Sequence, residues 1–162
     1  MIEFNCDLIS KIVIIGSYRK NFAEIASARR KFIEAGLDVL SPISDEIQNP
    51  DDDFIILKGD EDISPAELQN IVFNKIEQAD LLYVCNNNKY IGFLTGVEIG
   101  YAIRNTHLIY FSNESEEPVM QKLVRGRVIS VEDLIDQIEE YNYNALNLSK
   151  EKLLKINKLT KM

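Results

Sequence analysis

Two short apolar runs constrain this chain more than anything else in it. Lys11-Ile12-Val13-Ile14-Ile15 and Leu81-Leu82-Tyr83-Val84-Cys85 are too brief for independent helices, and they lack the apolar-polar alternation of a strand with one wet face. Such segments suit strands buried on both faces, as in a parallel sheet, where helices must cover both sides. The sequence between and after them supplies those helices. From Phe22 to Ala35, apolar residues at 22, 25, 26, 28, 32, 33 and 35 leave charges at 24, 29, 30, 31 and 34, the pattern of an amphipathic helix. Gly36 stands where a left-handed residue would end it, and Leu37 to Leu40 returns to strand character before Ser41-Pro42.

The same alternation continues down the chain. Ser64-Pro65-Ala66-Glu67 combines an N-cap serine, proline at the first helical position and glutamate three residues after the cap. Leu68, Ile71, Val72 and Ile76 then form an apolar stripe that runs to Gln78. Val97 to Arg104 reads as a helix, Leu108 to Phe111 as a strand, Val128-Ile129 as a fifth strand and Val131 to Tyr141 as a helix capped by Ser130. The expected fold is a single doubly wound α/β domain of flavodoxin-like or Rossmann-like type. Its sheet is mostly parallel and five-stranded, with helices on both faces. With 162 residues, 46% of them hydrophobic, one core suffices. That domain is assigned to residues 1–145, followed by a basic helix or tail over 146–162 with lysines at 150, 152, 155, 158 and 161.

A formal charge of −8 argues against a nucleic-acid partner, because duplex binding rests on clustered Lys and Arg. A small ligand is compatible with it, since a few local cations suffice for one phosphate. Neither a secretory leader nor a membrane-spanning run is legible, and the two cysteines, Cys6 and Cys85, suit a reducing compartment. A cytoplasmic protein is expected. His107 is the single histidine, so neither a histidine-based metal site nor a Ser/His/Asp arrangement is expected, and no cofactor is called for.

In a doubly wound sheet, ligands bind outside the carboxyl ends of the strands. The first such end, Gly16-Ser17-Tyr18-Arg19-Lys20, offers a turn glycine, a hydroxyl and two cations before a helix, all suited to a phosphate. A solvated turn would look the same. Asp80 precedes the second apolar run and is a candidate ligand group or a turn cap. Asn86, the first of three asparagines after that run, is placed near the ligand because it directly follows the strand. The run Gly92-Phe93-Leu94-Thr95-Gly96-Val97-Glu98-Ile99-Gly100 then delivers a carboxylate among glycines at a helix start. Gly92 and Gly96 would let backbone approach a ligand, and Glu98 would meet its sugar. The bland reading of Glu98 is a residue that complements a helix dipole. Between Asp45 and Asp62 lie eight carboxylates and one lysine, interrupted by Phe54-Ile55-Ile56-Leu57. That segment reads as a solvated surface whose apolar island is either a short edge strand or a loop folded over the core.

With those residues in view, the chain resembles the nucleoside 2-deoxyribosyltransferase superfamily, which includes the nucleoside 5′-monophosphate N-glycosidases. The likeness spans roughly residues 11–111 and rests on Gly16-Ser17, Ala79-Asp80 and Tyr90-Ile91-Gly92 through Tyr101-Ala102. It is closer to small uncharacterised bacterial members that share the tyrosine-isoleucine-glycine step. The resemblance implies that Glu98 is a nucleophile that attacks the anomeric carbon, and that the protein forms homodimers or larger homo-oligomers. The sequence departs from the family at two helper positions. The first strand carries no tyrosine, the nearest being Tyr18 in the following loop, and Val72, Phe73 and Asn74 stand where the family places an aspartate. The expected activity is cleavage of an N-glycosidic bond in a nucleoside or its monophosphate, with water or a second base as acceptor. A nucleotide-binding or sensing module without turnover is the alternative. A phosphoribohydrolase of the cytokinin-activating type ranks third, for want of any Gly-Gly pair.

Overall fold

The computed structural model describes residues 8–105, 108–124 and 127–159. Cys6 and His107 lie outside the described residues. Four parallel strands, β1 (Lys11–Gly16), β2 (Asp38–Ser41), β3 (Leu81–Cys85) and β4 (Leu108–Phe111), form one sheet in the order β2-β1-β3-β4. The helices are α1 (Tyr18–Glu34), α2 (Pro65–Gln78), α3 (Phe93–Arg104), α4 (Pro118–Val124) and α5 (Val131–Leu159).

The continuous apolar character of β1 and β3 has its explanation in two cores. Ile12, Ile14, Leu81, Tyr83 and Cys85 point to one face of the sheet, where Ile25, Ala28 and Phe32 of α1 and Leu134 and Ile138 of α5 cover them. Val13, Ile15, Leu82 and Val84 point to the other, against Ile76 of α2 and Ile99 and Ala102 of α3. Period-two alternation therefore persists, with both faces apolar. Strand order reverses between β1 and β3, so the chain leaves those neighbours toward opposite sides and opens a crevice at their carboxyl ends.

Several expectations need correction. Among the described residues the sheet has four strands, not five. Val128 makes one isolated parallel bridge to Phe111, since only the Phe111 N–H to Arg127 O and Ile129 N–H to Phe111 O bonds join that segment to β4. Helix α3 begins at Phe93, four residues before the expected Val97, with Gly92 as N-cap. Glu98 therefore sits in the second turn rather than at the helix start, and Gly96 is helical, its N–H bonded to Gly92 O at 2.9 Å. Helix α5 runs without interruption through position 145 to Leu159.

Local signals at two helix ends match the structure. Ser64 and Glu67 form a reciprocal capping box at the start of α2. Gly36, at φ +84°, terminates α1 in the left-handed conformation that a side chain would disfavour.

Candidate functional site

A cavity of about 410 Å³ lies at the carboxyl ends of β1 and β2, between α1, α2 and α3. Its size falls in the range of small-molecule sites. Each wall comes from a different part of the sequence. Gly16 to Arg19 enter it from the β1–α1 junction, Leu68, Gln69, Ile71, Val72 and Lys75 from α2, and Gly92 to Thr95 with Glu98 from the start of α3. The remaining wall is the acidic segment itself. Ile43, Asp53, Phe54, Ile55, Leu57 and Asp60 line the cavity, so the apolar island is a loop over the core, while Asp51, Asp52, Glu61 and Asp62 beside it face solvent.

That loop is held in place by side chains. Arg29 of α1 donates to Pro42 O at 2.9 Å, to Ile43 O at 3.0 Å and to Asp45 Oδ1 at 3.1 Å. Further along, the Asn49 amide donates to Phe54 O at 2.7 Å and its Oδ1 accepts from Ile56 N–H, which closes the turn that presents Phe54 and Ile55 inward. An isolated antiparallel bridge joins Ile47 to Leu57. The segment is thus a tied loop, in which the Pro42, Ile43 and Phe54 carbonyls find side-chain donors.

Glu98 is buried, 9% exposed, on the wall formed by α3. Loss of water pushes its carboxyl up to about 7, partly offset by a hydrogen bond that the Gln69 amide donates to Oε1 at 2.9 Å. Tyr18 lies within electrostatic reach of Glu98. Burial, then the Glu98 charge, raise its phenol well above the ordinary range, while a side-chain hydrogen bond with Ser41 acts the other way. Tyr18 is the residue that follows the first strand and its turn, and the fold brings it to the same cavity as Glu98.

The cavity carries two further charges toward α2. Burial lifts the Asp60 carboxyl above its usual range against the attraction of Lys75, and burial lowers the Lys75 ammonium against the attraction of Asp60. At the mouth, Arg19 Nη1 pairs with Asp53 Oδ1 at 2.9 Å, with both side chains largely in solvent. Such an exposed pair contributes little to stability and is readily exchanged for another anion. Among the described residues, no three His, Cys, Asp or Glu side chains gather as a metal site would require.

The structure brings together Gly16, Ser17, Tyr18, Arg19, Gly92 and Glu98. It does not bring Asp80, Asn86 or Gly96 to them. Asp80 lies at the amino ends of the strands, where its Oδ2 accepts from the Ser10 and Lys11 N–H groups, both at 2.8 Å, and acts as a backbone cap. Asn86 is fully buried and committed to the loop after β4: its amide donates to Asn113 O at 3.0 Å and its Oδ1 accepts from Asn113 N–H at 3.0 Å. Ser112 and Asn113 serve the same staple. Gly96 faces open space rather than the cavity wall.

Gln69, Asp60, Lys75 and Ser41 were not legible as site residues. One signal was present for Lys75: it falls at i+7 from Leu68 and i+3 from Val72, so a lysine lies on the apolar arc of α2. The others depend on chain segments whose approach only the fold sets.

The fold and cavity define an α/β protein with a ligand-sized pocket at the carboxyl edge of a parallel sheet. No protein-family model matches the chain, and no curated protein matches it in sequence. No helix among the described residues is long and apolar enough to cross a membrane.

Proposed function

We propose that this chain cleaves the N-glycosidic bond of a nucleoside or nucleoside 5′-monophosphate, as a hydrolase or a 2-deoxyribosyltransferase, with Glu98 as nucleophile. The observation that carries the reading is a buried carboxylate on the wall of a nucleoside-sized cavity at the carboxyl edge of the sheet. The resemblance to the nucleoside 2-deoxyribosyltransferase superfamily points the same way. In the reaction, a Glu98 oxygen bonds to the anomeric carbon as the carbon–nitrogen bond breaks, and the bonding pair leaves with the base, which takes up a proton. Water or a second base then attacks the glycosyl ester and restores the carboxylate.

Desolvation has two consequences for such a nucleophile. It leaves a substantial protonated fraction near pH 7, and it concentrates the charge of the ionised form against an oxocarbenium-like transition state. Tyr18, which opens α1 rather than lying in a loop before it, supports the reading as a polar group close enough to feel the Glu98 charge. The amino end of α1 with Arg19 suits a 5′-phosphate, which would replace Asp53 as the partner of the guanidinium. A cytoplasmic setting accords with the free buried thiol of Cys85. A homo-oligomer accords with Phe93, 85% exposed at the cavity mouth, and with Val97 beside it.

A second reading, a nucleotide-binding module without turnover, is favoured by one specific feature. On α2, Val72, Phe73 and Asn74 stand where the family places its aspartate, and none of the α2 residues that line the cavity is a carboxylate. Incubation with a panel of nucleosides and their monophosphates, with free base followed by chromatography, separates the two. Release that disappears in Glu98→Gln is the expected result. Tight binding with no release from any member of the panel would establish the binding module instead.

A further inference from the structure

Helix α5 changes charge along its length. Residues 131–140 carry Glu132, Asp133, Asp136, Glu139 and Glu140 with no lysine or arginine, residues 141–149 carry no charge, and residues 150–158 carry four lysines against Glu151. A helix dipole favours acids at the start and lysines at the end, but it acts only over the first and last turns. Asp136, Glu139 and Glu140 lie beyond that reach. Among the described residues, Glu132 alone of the charged side chains on α5 takes part in an ion pair, with Lys31 of α1.

The first half of α5 has one side on the sheet. Val131, Leu134 and Ile138 enter the core, and Asn142 pairs with the backbone of Ile9, donating to its O at 2.8 Å and accepting from its N–H at 2.9 Å. Ile9 precedes β1, so α5 passes the amino edge of the sheet at that point, away from the cavity, and continues to Leu159. No later described residue of the helix belongs to either core. On a different face, Glu139, Tyr143, Leu146 and Lys150 follow one another at intervals of four, three and four and so form one stripe. All four are exposed, Tyr143 by 67% and Leu146 by 44%.

We propose that this stripe is where two copies of the chain meet, with their α5 helices antiparallel about a two-fold axis that passes between residues 144 and 145. In such a self-complementary contact, residues equidistant from the axis face each other. Tyr143 then packs on Leu146 of the partner subunit and Glu139 pairs with Lys150 of the partner subunit, and symmetry makes each contact twice. The axis lies at the midpoint of α5, so the acidic half of each helix runs beside the basic half of the other. A second copy is the occupant that fits, because the chain's own charge order, reversed, meets both halves at once. A parallel pairing would set acid against acid and lysine against lysine. The contact does not rest on the glycosidase reading.

Sedimentation velocity of the full chain over a concentration series tests it. The wild type should be a dimer, and Glu139→Lys and Lys150→Glu should each weaken dimerisation at least about tenfold, because the axis brings like charges together twice. Both changes in one chain exchange the charges and should restore the dimer. Leu146→Glu, which places a charge at the centre of the stripe, should also weaken it. A wild type that stays monomeric would overturn the inference and leave the stripe to a different partner. A dimer that neither single reversal weakens, or a double variant no tighter than the single ones, would overturn it as well.

Discussion

The Gln69 amide of α2 donates to Glu98 Oε1 of α3 at 2.9 Å, and so joins the two helices across the wall of the cavity. That bond favours the ionised carboxylate and opposes the burial that raises Glu98 to about 7. If Glu98 is the nucleophile, kcat/KM should climb with pH through about 7 and level off above it, because only the ionised form attacks. In Gln69→Leu the climb should move to higher pH, with the plateau value less affected than the midpoint. A pH–rate profile of both proteins checks this, and an unchanged midpoint would contradict it.

Stability should depend on the same carboxylate. Its native value lies above the ordinary 4.5, so the folded protein retains a proton that the unfolded chain has released. Stability therefore falls as pH rises from about 4.5 toward about 7, and is constant above that as far as this group is concerned. Replacement by a neutral amide removes the dependence. Between about pH 4 and about pH 8, Glu98→Gln should gain on the wild type by up to about 3 kcal/mol, measured by urea unfolding at both pH values. A constant difference across that range would show that Glu98 is not desolvated.

Gly16 ends β1 against β3, where an added Cβ would lie 2.7 Å from Cys85 O and 3.1 Å from Ile25 Cδ1. The first contact is with backbone, which cannot rotate away. Gly16→Ala should therefore destabilise by about 1–3 kcal/mol through forced separation of the two central strands. Gly96→Ala, which meets nothing within 4 Å, should be neutral or stabilising in its helix. Thermal unfolding of the two variants gives the contrast.

Asp80 caps two backbone amides at the end of the sheet away from the cavity. Asp80→Ala should cost about 1–2 kcal/mol of stability and leave kcat/KM for base release unchanged at a temperature where the variant is folded. A selective loss of activity would place the residue in the site after all.

The chain's own residues determined the four strands and the helices α1, α2, α3 and α5, though not the short α4, and they set the start of α2 and the stop of α1. The β1 and β3 runs, the α2 capping box and the Gly36 stop are local events, decided within a few residues by burial and backbone geometry. They carried the α/β class with them, because strands apolar on both faces need helices on both. The start of α3 was misread because glycines suggested a turn, whereas a helix packed through Ile99 and Ala102 tolerates them. The fifth strand failed for a related reason: two apolar residues cannot show whether a ladder continues beyond one bridge.

The site divides along the same line. Gly16 to Arg19, Gly92 and Glu98 were legible because strand ends and glycine turns announce themselves in sequence. Asp80 and Asn86 bear the same marks, yet the fold uses one as a cap at the far end and the other as an internal staple. Only the tertiary structure decided that the acidic loop forms a wall of the cavity, that Gln69 reaches Glu98 and that Asp60 and Lys75 line the same pocket. Those relations join residues far apart in the chain, and their distances follow from how helices settle on a twisted sheet, which no local pattern encodes.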